Sequence, residues 1–153
     1  MSSSRKVPLP RVSEVIRYAY LWTHEHAEGR EEASKDRPCA VVLTVSGEVD
    51  GDDVVVVVPI TSVAPDNPGD AIEIPEATRR RLGLQGERCW IKVTELNQFN
   101  WPGPDLRPVD PKPADRAFYS YGLLPAKLYA LVKAAILERR QQGEKTSTVK
   151  RTE

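Results

Sequence analysis

The sequence predicts a mainly β protein with a late helix, a small barrel or curled sheet capped by that helix. Three observations lead there. Two valine-rich runs, 39–45 and 54–60, flank a turn-forming stretch; shorter β-rich segments surround them; and residues 124–140 carry the clearest helical period.

Taken in order, residues 1–11 read as a flexible arm. Val12 to Trp22 is a first strand, in which Val15, Tyr18, Tyr20 and Trp22 supply β-formers. His24 to Asp36 is a charged loop centred on Gly29. Cys39 to Val45 is a second strand, and its unbroken Ala-Val-Val-Leu predicts burial on both faces. Ser46-Gly47 and Asp50-Gly51-Asp52 are hairpin chemistry leading into a third strand, Val54 to Ile60. After a break at 65–70, Ala71 to Ile74 alternates as a short strand. Pro75 to Leu82 suits a helical turn, with Gly83 as its stop. Cys89 to Leu96 reads as one further strand, and a proline-rich loop runs from Asn100 to about Ala117. On the helix at 124–140, Leu128, Leu131, Val132, Ala135 and Ile136 share one face. The organisation is therefore an arm at 1–11, one domain at 12–140 and a polar, fraying tail at 141–153.

Composition narrows the function classes. The chain has 153 residues, 40% apolar and 29% charged, with no net charge; that is one domain with a modest core. No apolar run approaches the roughly 18 residues of a membrane span, and the N-terminus has no secretory h-region. Cys39 and Cys89 sit in apolar segments without an export signal, so they read as reduced core residues of a cytoplasmic protein. Charge is uneven: residues 1–70 sum to −5 and residues 71–153 to +5. Overall neutrality argues against heavy phosphate contact. Arg79, Arg80 and Arg81 offer either a local basic face or a solvated helix face.

The chemistry concentrates at two strand ends. Arg37-Pro38 leads into the second strand, and Thr61-Ser62 leaves the third. Should the two pair antiparallel, the arginine end of one meets the hydroxyl end of the other, and a guanidinium beside a hydroxyl suits an anionic substrate such as a phosphodiester. Plainer readings stand beside this one. Arg37 pairs structurally with Asp36 or Glu32, and Thr61-Ser62 satisfies backbone groups at a turn. His24-x-His26 favours a solvated loop over a metal site. Trp101, on its Pro-Gly loop, either stacks a base or anchors the loop on the barrel.

Gly29, Glu31 or Glu32, Arg37-Pro38 with its valine strand, and then Val-Val-Pro-Ile-Thr-Ser resemble, in this order and spacing, the PemK/MazF family of toxin ribonucleases. The resemblance covers roughly residues 12–140 and implies an SH3-like barrel, a homodimer, and metal-independent cleavage of single-stranded RNA without a cofactor. It also implies a small acidic antitoxin from an adjacent gene. Carried over, the catalytic pair is Arg37 and Thr61, with Ser62 in support; Glu31, Lys35 and Trp101 stand beside them as further substrate-binding candidates. The chain departs from the family in having Ser13-Glu14 where members commonly open with Gly-Asp or Gly-Glu, and in its long proline-rich segment. Two other classes compete: a gyrase poison of the CcdB type, opposed by a C-terminus without aromatics, and a non-catalytic barrel binding nucleic acid or protein.

Overall fold

The computed structural model describes residues 7–24, 36–47, 52–111, 114–143 and 147–151. Among the described residues eight strands and two complete helices follow in the order β1 (Glu14–Tyr18), β2 (Arg37–Val45), β3 (Val54–Thr61), β4 (Ala71–Glu73), α1 (Glu76–Leu82), β5 (Trp90–Lys92), β6 (Glu95–Asn100), β7 (Ser120–Leu123), α2 (Ala126–Gln141) and β8 (Ser147–Lys150), with a 3-10 turn at Pro68–Asp70. The chain is mainly β with α.

The strands form one curled sheet along the path β4-β5-β3-β2-β1-β7, to which β6 and β8 are added beside β3. Among the described residues all pairs are antiparallel except β6 with β8. Among the described residues no pairing joins β4 to β7, so the expected barrel is a curled sheet left open along that line. Its centre is β3. Val54–Val57 pair with β6, whereas Ile60 and Thr61 pair with β5. Pro59 lies at this fork, where a residue without an N–H interrupts a ladder at least cost.

Period-2 geometry explains why the valine runs are unbroken. On β2 and β3, Ala40, Val56, Val58 and Ile60 belong to one apolar cluster, while Cys39, Val41, Val55 and Val57 belong to another. Helix α2 covers the first through Leu128, Val132 and Ile136. The second is aromatic, built on Tyr18, Tyr20, Phe99, Trp101 and Tyr119. Each fully buried valine contributes about 1.5–3 kcal/mol, so both layers hold the hairpin. Burial on both faces ends halfway along β2, because the register shifts between Val41 and Leu43, and Leu43 and Val45 emerge at 50% and 48% exposure.

Other expectations are corrected. The first strand stops at Tyr18 rather than Trp22. The strand expected at 89–96 is two, broken at Val93-Thr94, because β5 and β6 serve different stretches of β3. Ser120–Leu123, for which the sequence predicts no strand, forms one and pairs with β1. Leu131 faces outward on α2, at 59% exposure. The tail expected to fray carries β8, with Val149 buried. In the expected arm, Val7 and Leu9 pack on the aromatic cluster. Among the described residues no helix is long and apolar enough to cross a membrane. Both cysteines are buried and free, and burial pushes both thiols up.

Candidate functional site

The β2–β3 ladder places the two strand ends together. Cys39 lies opposite Pro59 in an antiparallel register, and carrying that register two residues further sets Arg37 across from Thr61. Arg37 is half-buried, its Cζ 4.5 Å from the centre of the Trp22 ring. Its Nε is buried and has no hydrogen-bond partner. The Nε atoms of Arg79 and Arg139 are buried without a partner in the same way, so what sets Arg37 apart is its place beside Thr61, where a planar guanidinium fork suits a carboxylate or phosphate.

The structural pairing expected of Arg37 falls to another residue. Arg17 stands opposite Pro38 on β1, and its Nε donates to Asp36 Oδ2 at 2.7 Å. Burial by itself raises the Asp36 carboxyl, but the hydrogen bond from Arg17 and the charges of Arg17 and Arg107 outweigh it and leave the pKa below its ordinary value. Asp36 is thus tied to Arg17. Glu32, the other suggested partner of Arg37, lies outside the described residues.

Thr61 Oγ1 accepts the Val63 N–H at 3.1 Å, which is the turn role its residue type favours. A hydroxyl accepting one bond still has its proton to donate, so the turn contact orients the group without occupying it. Ser62 is exposed beside it.

These residues share a cavity of about 380 Å³, lined by Arg17, Arg37, Arg81 and Arg116, by Thr61 and Ser62, and by the carboxylates of Asp36 and Asp110. Among the described residues four cations line it against two anions, with Arg17 and Asp36 paired to each other, which leaves a net positive lining in a neutral chain. Each added arginine has a definite support. α1 ends at Gly83, whose φ of 74° permits Gly83 N–H to Arg80 O and Leu84 N–H to Arg79 O bonds. From this helix Arg81 reaches out to donate to Leu123 O at 2.9 Å. Arg116 donates to Tyr121 O, above Gly122 at φ 122°. The Tyr121 phenol is pushed up by burial, against the pull of Arg17. Cys89 also lines the cavity, but burial raises its thiol and leaves it protonated and poorly nucleophilic.

The cavity therefore assembles Arg37, Thr61 and Ser62, as the strand-end argument expected, and adds Arg17, Arg81 and Arg116. Trp101 is elsewhere. It is 7% exposed, its indole N–H donates to Val7 O at 2.9 Å, and its ring meets Tyr119 edge-on at 5.2 Å; the loop-anchor alternative describes it. Glu31, Lys35 and His26 lie outside the described residues. Of the three additional arginines, only Arg81 had a signal in the sequence, as part of the Arg79–Arg81 run. Arg80 pairs with Glu76 and Arg79 with Gly86 O, so one of the three faces the cavity.

Comparison with models of known protein families and with curated proteins finds no match.

Proposed function

We propose that this protein is an endoribonuclease toxin of the PemK/MazF type, an SH3-like barrel acting as a homodimer on single-stranded RNA. The observation that carries the reading is Arg37, with a buried and unpartnered Nε, across the ladder from Thr61 in a cavity of four arginines. The motif resemblance adds the reaction.

RNA brings its own nucleophile. The 2′-oxygen attacks the adjacent phosphorus, the bond from phosphorus to the 5′-oxygen breaks, the 2′-proton passes to solvent and the leaving oxygen takes up a proton. The products are a 2′,3′-cyclic phosphate and a 5′-hydroxyl. The enzyme must align these atoms and stabilise the charge that builds on the phosphorane. Arg37 does so through its planar fork on two phosphate oxygens; an arginine never serves as the base. Thr61 donates its proton to a phosphate or leaving oxygen. Arg81 and Arg116 hold flanking phosphates. A small acidic antitoxin would inhibit by placing a carboxylate where the phosphate binds at Arg37.

The test is direct. Purified protein in EDTA should cut a mixed-sequence RNA into discrete fragments with cyclic phosphate ends, and its expression should arrest growth unless the neighbouring gene is co-expressed. RNA bound but uncut would replace this reading with a non-catalytic RNA-binding barrel.

A further inference from the structure

The guanidinium of Arg37 rests on Trp22, and Trp22 lies in no strand, since residues 19–22 leave β1 without joining the ladders of the sheet. What holds this segment is β6, through side chains instead of backbone pairing. Asn97, fully buried, accepts the Leu21 N–H at 2.9 Å and donates to Leu21 O at 2.8 Å. Two residues away on the same face of β6, Glu95 Oε1 accepts the Thr23 N–H at 3.0 Å and the Thr23 hydroxyl at 3.2 Å. The chain is thus gripped on both sides of Trp22. Glu95 does more than Asn97, because its other partners also bear on the indole. The Tyr20 hydroxyl donates to Glu95 Oε1 at 3.4 Å, and the Tyr20 ring meets Trp22 edge-on at 5.2 Å. Lys92 Nζ is 3.7 Å from Glu95 Oε2 and 5.2 Å from the centre of the Trp22 ring.

We propose that Glu95 is a positioning residue for Arg37: it fixes Trp22 in place, and Trp22 sets where the guanidinium fork lies in the arginine cavity. The proposal deepens the RNA reading and rests on it only for what Arg37 does to a substrate. Two observations carry it. First, a carboxylate that is 8% exposed costs free energy that an apolar side chain of its size would not, and the contacts that offset this cost go to groups that flank or touch Trp22. Second, Arg37 Nε has no hydrogen-bond partner, and among the described residues no ion pair orients the group. The ring face is therefore its guide, and moving the ring moves the fork. Such alignment matters to rate, because a misplacement of about 1 Å can cost about a hundredfold. Glu95 is not among the residues lining the arginine cavity, so its effect on cleavage passes through this chain of contacts.

The experiment reads Arg37 directly. Its Nε proton, buried and over an indole face, should resonate upfield of other arginine Nε protons in a nitrogen–proton NMR spectrum, and is assigned by its absence from Arg37→Ala. Glu95→Ala should lose most of that displacement, and Glu95→Gln, which keeps an acceptor for Thr23, should retain most of it. Cleavage supplies the second reading. Glu95→Ala should lower kcat by up to about a hundredfold with KM nearly unchanged, since the Arg37 charge stays in the cavity, and Glu95→Gln should restore most of the rate. In an Arg37→Ala background the Glu95→Ala change should leave the residual rate where it was, because its effect runs through Arg37; a merely structural role would lower both backgrounds alike. Thr23→Val deletes one bond to Glu95 at nearly constant shape, and gives smaller changes in the same direction if Glu95→Ala does not fold. A wild-type spectrum without the displaced proton, a proton unmoved in Glu95→Ala and Thr23→Val, or an equal fall in kcat in both backgrounds overturns the proposal. RNA left uncut by the wild type removes the nuclease reading alone, and the position of the Arg37 proton then decides the role of Glu95.

Discussion

Two arginines at opposite ends of the chain's strands show how one residue type serves two purposes. At the start of β2, Arg37 is half-buried over Trp22, with its Nε unpartnered. Just after β8, Arg151 has a side chain only 4% exposed, and its donors are engaged. Nη1 bonds Ala19 O at 2.6 Å, Nη2 bonds Asp105 Oδ2 at 3.0 Å, and Cζ lies 5.5 Å from the Tyr18 ring centre. A guanidinium whose fork is filled by its own protein stitches segments together. One on a cavity wall with no carboxylate partner among the described residues keeps its charge uncompensated. The difference is in the neighbours: Asp105 goes to Arg151, whereas Asp36, next in sequence to Arg37, is taken by Arg17.

Substituting the two arginines should separate their roles. Arg37→Ala should lower kcat/KM for RNA cleavage about a hundred- to a thousandfold, about 2.7–4 kcal/mol of barrier, the usual loss for one charge-stabilising donor. Its unfolding midpoint should fall by no more than the cation–π contact with Trp22 contributes, about 0.5–2 kcal/mol, because among the described residues Arg37 has no ion pair to lose. Arg151→Ala should do the reverse. Its loss breaks the bonds to Ala19 O and Asp105 and leaves Asp105 with Arg107 at 3.9 Å; it should cost about 1.5–3 kcal/mol, the range for hydrogen bonds to charged groups, read as a fall in urea midpoint, with cleavage unchanged well below the melting temperature. A destabilised Arg37→Ala protein, or an Arg151→Ala protein that folds normally but does not cleave, would erase the distinction.

How far this could be read from the chain follows from the same residues. The Arg37–Thr61 juxtaposition was legible because it needs only an antiparallel hairpin, and Val54–Thr61 is long and apolar enough to specify one. The alternation of burial was legible as burial on both faces, up to the register shift after Val41 that no residue announces. Arg17 and Arg116 were not legible, since they reach the cavity through partners distant in sequence or from an irregular loop. β8 was hidden because Ser147–Lys150 has one apolar residue, Val149; its stability comes from pairing with β6 and from Arg151, both tertiary. Trp101 failed as a base platform because sequence does not tell an aromatic on a loop tip from one folded back onto Tyr119.

The Arg116 side of the cavity gives a smaller effect. Gly122 sits at φ 122°, and a Cβ there would come within 2.5 Å of Arg116 Nη1 and 2.8 Å of its Cζ. Gly122→Ala should cost about 1–3 kcal/mol of stability through backbone strain and also turn Arg116 away from Tyr121 O. Cleavage of long RNA, which uses flanking phosphates, should fall more than cleavage of a dinucleotide. Equal losses on both substrates would place Arg116 outside the binding surface.

The smallest effect concerns the pair that leaves Arg37 without a partner. The Arg17 and Asp36 side chains are 34% and 30% exposed, so their ion pair belongs with half-solvated pairs worth below about 1 kcal/mol. The folded-state pKa of Asp36 lies below its ordinary 3.8. Its contribution to stability is therefore fully present above that ordinary value and is lost as pH falls through the lower, folded one. Urea midpoints of the wild type and Asp36→Asn should differ slightly at pH 7 and 5 and converge as pH falls below the ordinary value. Asp36→Asn also takes one anion out of the arginine cavity, so RNA should bind it slightly more tightly at low salt, with a steeper salt dependence. Weaker binding would show that Asp36 is needed to hold Arg17 in place, and that the cavity depends on the arrangement of its charges more than on their sum.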